Sequence, residues 1–116
     1  MEEPTYSPER IKARITEIKD LLVKEFAPES IILFGRFARE ADKAVSGTMD
    51  VLIIANCDNC SFVERIFRAR EATKNGSPII EPLVYTPEEI KILREEGEAF
   101  LKSAFDEGKL IYQKNG

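Results

Sequence analysis

A chain of 116 residues has room for one small domain, read here as residues 1–116, able to bury roughly 65% of its unfolded surface without a metal or disulfide staple. Its 17 Lys and Arg against 21 Asp and Glu leave a net charge of -4 with the two signs interleaved, so no basic stripe exists to neutralise a run of phosphates and duplex nucleic acid is excluded as a partner. No apolar run is long enough to cross a bilayer and Met1-Glu2-Glu3-Pro4 lacks the basic and apolar segments of a signal peptide, so no membrane is involved and the protein is expected in the cytoplasm.

The first predicted element is a helix opened by Ser7-Pro8-Glu9, with Ser7 as cap and Pro8 at the first helical position, where its missing N–H sacrifices no bond. Ile11, Ile15, Ile18 and Leu22 recur at helical spacing and build one apolar face up to Phe26, leaving Arg10, Lys12, Glu17 and Lys24 solvated. Ala27-Pro28-Glu29 ends this helix. Ile31 to Phe34 is a continuous apolar run, as expected for a strand covered on both faces, and Gly35 stops it. Arg36 to Ala41 predicts a short helical turn, Asp42 to Gly47 an exposed loop, and Met49 to Ala55 a second strand.

Beyond this strand lie the two cysteines, Cys57-Asp58-Asn59-Cys60. Without a second cysteine pair or any histidine, a four-ligand zinc site cannot be assembled from one chain. The motif reads as two thiols in a strand-to-helix turn, with a local disulfide as the alternative. Ser61 to Thr73 predicts a helix carrying Phe62, Ile66 and Ala69 or Arg70 on successive turns, broken by Asn75-Gly76-Ser77-Pro78. Ile79 to Tyr85 is the third strand. Pro82 within it cannot donate to a ladder, which predicts a sheet edge or a bulge.

Thr86-Pro87-Glu88-Glu89 is a capping box that opens a helix running through Arg94. After Gly97 comes a further helix with Phe100, Leu101, Ala104 and Phe105 on its buried face, ended by Gly108 and followed by a short strand, Leu110-Ile111-Tyr112. The order predicts an α/β (α+β) fold in which a small mixed β-sheet of about four strands is flanked by helices.

The chemistry concentrates at the strand ends. Gly35 permits a sharp turn after a buried strand and close approach of a phosphate to the backbone. Asp50 enters an otherwise apolar strand and shares a face with Thr48, so it is either solvated at the strand mouth or held by a cation or donor. Glu81 is a second carboxylate in an apolar strand. If both strands belong to one sheet, Asp50 and Glu81 face one mouth, where converging carboxylates can hold Mg²⁺ against a triphosphate. The alternative for Glu81 is an edge charge that discourages aggregation.

The stretch Ile31 to Ile54, with Glu81 to Glu89 beyond it, resembles the small stand-alone prokaryotic nucleotidyltransferases of the DNA polymerase beta superfamily, the minimal (MNT-type) group, over nearly the whole chain. That family runs apolar strand, G-S-x-x-R-G, loop, D-x-D opening a second apolar strand, and a third acidic residue on a later strand. The resemblance implies a nucleotidyltransferase-like fold, with Gly35 as the family glycine, Arg39 as the motif arginine, Asp50 as the second metal-binding carboxylate and Glu81 as the third. It also implies Mg²⁺ and ATP as cofactors if the site is active, and transfer of AMP to a protein or other hydroxyl acceptor.

Three positions depart from the pattern. Arg36 stands where the family has serine, Glu40 where it has the second glycine, and Thr48 where it has the first aspartate; the preceding loop is one residue longer, and Asp42 lies too far back to replace the missing carboxylate. A threonine hydroxyl is a charge-deficient Mg²⁺ ligand. Arg36 can bind phosphate or pair with Glu40 or Asp42. The sequence therefore predicts a nucleotidyltransferase scaffold with weakened or lost activity. The alternatives are a non-catalytic subunit that binds a nucleotide or a partner, with or without a cofactor, as the resemblance implies for an antitoxin-like partner of a HEPN-domain protein, and a nucleotide sensor.

Overall fold

The computed structural model describes residues 4–40 and 42–115. Ala41, the last residue of the expected helical turn, and the acidic segment 1–3 lie outside them. In chain order the elements are β1 (Thr5–Tyr6), α1 (Pro8–Phe26), β2 (Ser30–Phe34), α2 (Arg36–Arg39), β3 (Val45–Ser46), β4 (Met49–Ile54), α3 (Phe62–Ala72), β5 (Ile80–Tyr85), α4 (Pro87–Glu95), α5 (Ala99–Glu107) and β6 (Lys109–Gln113). Four strands form one mixed sheet in the order β5-β4-β2-β6. The β4–β5 pair is parallel and α3 makes the crossover between them, whereas β2 pairs antiparallel with β4 and β6. Pro82 sits on edge strand β5, where one side of the backbone needs no ladder partner.

Alternation along the central strands divides the core into two layers. Ile31 and Leu33 of β2, Met49, Val51 and Ile53 of β4, and Ile80 and Val84 of β5 pack with Ile11, Ile18, Leu22 and Phe26 of α1 and Ala69 of α3. On the opposite face Ile32, Leu52 and Ile54 pack with Ile90 of α4 and with Leu101 and Ala104 of α5. Each fully buried aliphatic side chain contributes about 1.5–3 kcal/mol. The second layer covers the β4 end that holds Leu52 and Ile54. Asp50 belongs to the same face one pleat earlier, beyond the α4–α5 cover, and it stays partly open to solvent.

The caps act as their sequences require. Ser7 Oγ accepts from the Arg10 amide at 3.2 Å. In α4 the Glu89 amide donates to Thr86 Oγ1 at 3.1 Å, and the Thr86 amide donates to Glu89 Oε1 at 2.8 Å. Glu89 has a further task, accepting two hydrogen bonds from buried Arg65 of α3 at 2.7 and 3.2 Å. Those bonds hold the Glu89 carboxyl below its ordinary value, ahead of the capping contacts.

Four sequence expectations are corrected. Asp42 to Gly47 is not all exposed loop, because Val45 is buried and β3 pairs antiparallel with β1 in a small ribbon. In α1 the fully buried position between Ile11 and Ile18 is Arg14, whereas Ile15 is only half-buried. Arg14 is accommodated because its guanidinium donates to the carbonyls of Pro78 (2.9 Å) and Thr73 (2.7 Å) and pairs with Glu17, which satisfies a buried charge that could not otherwise be tolerated. In α3 the buried residues are Arg65 and Ala69, while Phe62 and Ile66 are only partly covered. In α5, Phe100 is 38% exposed at the margin of the buried face that Leu101 and Ala104 form, and stacks edge-on against Phe34 with ring centroids 5.3 Å apart.

Candidate functional site

The parallel register sets the site. Asp50 of β4 lies directly beside Glu81 of β5, and Phe34 of β2 is the antiparallel partner of Asp50 on its other side. Register partners point to the same face, so both carboxylates emerge at the uncovered end of the sheet. Glu81 is exposed and Asp50 is half-buried. Partial burial pushes the Asp50 carboxyl above its ordinary value and the Glu81 charge pushes it further, while the positive charge of Arg39 acts the other way. Burial of Asp50 is the largest of these influences.

Gly35 fits tightly against Asp50. Its φ of 74° and ψ of -153° belong to a region that only glycine occupies readily. A Cβ there would overlap Asp50 Oδ2 and sit 3.3 Å from its Cγ. The turn after β2 thus brings bare backbone up to the carboxylate that opens β4. The following helix, α2, is a single turn of four residues, too short to give the phosphate site that a longer helix N-terminus would supply. It presents Phe37 and Ala38 to the core and leaves Arg36 and Arg39 exposed.

The remaining sequence-selected residues divide around this mouth. Thr48 and Glu81 line one pocket of about 450 Å³ together with Gly47, Ile79, Tyr6 and Pro4, a volume in the range of small-molecule sites. Arg36 points along α2, its Nε 3.8 Å from Glu40 Oε2, and remains largely in solvent. A larger cleft of about 620 Å³ is lined by Ile11, Ile15, Leu33 and Ile111 from the α1 side, with Arg39, Lys12, Lys109, Glu9 and Asp42 at its rim. Its floor belongs to the opposite face of the sheet from the carboxylates, and the smaller pocket is the one that Glu81 lines, without Asp50. Asp42 lines that cleft and, like Asp50, is not among the residues lining the smaller pocket.

Sequence reasoning missed Tyr6 and Ile79. Tyr6 reaches the mouth through the β1–β3 ribbon, which two-residue strands do not announce. The exposure of Ile79, 63% despite its position at the entrance to a strand, is visible only once the register is known.

The donor set bears on a metal. Among the described residues no group of three or more Asp, Glu, Cys or His side chains converges. Asp50, Glu81 and Thr48 offer oxygen donors only, the ligand type that Mg²⁺ takes. The set does not fit a pair of ions that share three carboxylates.

No protein-family model and no curated protein matches the sequence. The fold is similar to the crystal structure of a protein from Sulfolobus solfataricus provisionally assigned as a nucleotidyltransferase, with a TM-score of 0.62 over 92% of this chain and 84% of that one at 15% identity. At that identity the likeness speaks for architecture, and on it the chain has a nucleotidyltransferase-like fold.

Proposed function

We propose that this protein binds a Mg²⁺–nucleoside triphosphate at the Asp50–Glu81 mouth and that its nucleotidyl transfer is weakened by the absence of a carboxylate at position 48. The observation that carries this reading is the side-by-side register of Asp50 and Glu81 on the open face, with Gly35 backbone packed against Asp50. Asp50 and Glu81 would hold the ion, and Thr48 would add at most a neutral oxygen. When bound, Mg²⁺ neutralises the phosphate charge and draws electron density from the α-phosphate. Arg39 supplies the nearby fixed positive charge, and Tyr6 with Ile79 provides an apolar wall for the rest of the nucleotide.

A missing first carboxylate removes the group best placed to hold a second ion and to orient the attacking hydroxyl. Such a loss costs several kcal/mol of transition-state stabilisation, or several decades in rate. Binding survives on the remaining pair. ATP labelled at the α-phosphate, incubated with the protein, Mg²⁺ or Mn²⁺ and candidate hydroxyl acceptors, tests the reading. Weak transfer that is abolished in Asp50→Ala and increased about ten- to a thousandfold in Thr48→Asp is the expected result. Transfer unaffected by Asp50→Ala would place the chemistry elsewhere.

A further inference from the structure

At the far end of β4 from Asp50, the chain makes the Cys57-Asp58-Asn59-Cys60 turn that leads into α3. The two sulfurs are joined in a disulfide, both cysteines are partly exposed, and one guanidinium nitrogen of Arg68 lies 3.2 Å from Cys57 Sγ and 3.4 Å from Cys60 Sγ. Arg68 is not a free surface side chain. Its other nitrogens donate to Glu25 Oε2 at 2.8 and 3.1 Å and to the Glu25 carbonyl at 3.1 Å, and its guanidinium stacks 4.8 Å from the centroid of Phe26. The end of α1 therefore fixes a cation in place over both sulfurs.

A neutral disulfide gains little from a guanidinium, whereas a thiolate gains a charge-assisted hydrogen bond. The N-terminus of α3, an 11-residue helix capped by Ser61, begins two residues after Cys60 and favours negative charge in the same region. Asp58 within the turn, Glu64 in the first turn of α3 and Glu25 on α1 oppose it, and Glu25 is already paired with Arg68. We propose that Cys57 and Cys60 form a reversible dithiol–disulfide centre whose reduced state is held reactive by Arg68, and whose redox partners are small or protein-borne thiols and disulfides.

The exchange balances in two steps. One cysteine thiolate attacks a sulfur of an incoming disulfide, forming a mixed disulfide and expelling one thiolate. The second cysteine then attacks the mixed disulfide, closing the Cys57–Cys60 bond and expelling the other thiolate. The pair loses two electrons and two protons in all, and the incoming disulfide is reduced to two thiols; an external dithiol reverses the sequence. Reduction leaves Arg68 between two acceptors, the new thiolate and Glu25.

The test uses the full chain equilibrated in dithiothreitol and in graded glutathione buffers, trapped by a maleimide and weighed by mass spectrometry. The expected result is reversible interconversion of a form with no alkylated cysteine and a form with two. The fully reduced protein should react with an aromatic disulfide at neutral pH roughly three- to tenfold faster than Arg68→Met, with Arg68→Lys between them. Circular dichroism of each variant establishes that the fold is kept, and Glu25→Gln, which frees the guanidinium, should react at least as fast as the parent. Two thiols alkylated under oxidised glutathione, or equal rates in the parent, Arg68→Met and Arg68→Lys, would overturn the proposal.

Discussion

Replacing Gly35 by alanine probes the contact on which the candidate site is built. The glycine occupies φ 74°, ψ -153°, where a side chain costs about 1–3 kcal/mol in backbone strain. The added methyl also meets the Asp50 carboxylate, and forcing that side chain off its rotamer adds roughly 1 kcal/mol. The two effects together predict a loss of about 2–4 kcal/mol, which for a chain of this length lowers Tm by roughly 8–16 °C. Urea and thermal unfolding of the parent, Gly35→Ala, Asp50→Ala and the double variant measure it. If the methyl acts through Asp50, Gly35→Ala costs about 1 kcal/mol less in the Asp50→Ala background than alone. A single-variant cost under about 0.5 kcal/mol, or additivity within about 0.3 kcal/mol, would refute the packing of Gly35 on Asp50.

Asp50→Asn should stabilise the protein at neutral pH, because the raised carboxyl means that ionised Asp50 opposes folding there. The gain should disappear below pH 3.8, where the residue is protonated in both states, as parallel unfolding curves of the two proteins will show. Glu89→Gln behaves oppositely: Glu89 is depressed below 4.5 by Arg65, so the variant is less stable at pH 7, and the difference closes as pH falls through the lowered value. Arg14→Met leaves the carbonyls of Thr73 and Pro78 without their donor and should cost about 2–4 kcal/mol by urea unfolding. Thr48→Asp crowds a third carboxylate into the mouth, so its Tm falls without metal and recovers with millimolar Mg²⁺ more than the parent's rises.

Periodicity carried the sequence a long way at α1, β2, β4 and the α4 capping box, because each rests on local rules: apolar spacing, a cap, a breaker. Arg14 escaped those rules. A charged residue beside Ile11, Ile15 and Ile18 gives no local hint that the loop around Thr73 and Pro78 will supply two carbonyl acceptors. The β1–β3 ribbon escaped for another reason, since two-residue strands have no period to detect and Val45 is buried only by tertiary contact. At the candidate site, Asp50 and Glu81 could each be singled out as a carboxylate in an apolar strand. Their neighbourhood depends on a parallel pairing that spans the whole α3 crossover, and no local pattern encodes that register. The close fit of Gly35 against Asp50 likewise belongs to the assembled sheet.

Calorimetric titration of a nonhydrolysable ATP analogue with Mg²⁺ into the parent, Asp50→Asn and Glu81→Gln reads nucleotide binding at the Asp50–Glu81 mouth itself. Mg²⁺-dependent binding of one nucleotide per chain is expected, weakened about tenfold or more by either substitution and left intact by Arg36→Ala, whose side chain faces Glu40 and solvent. Binding that is indifferent to Mg²⁺, or that survives both carboxylate substitutions unchanged, would contradict the proposed function.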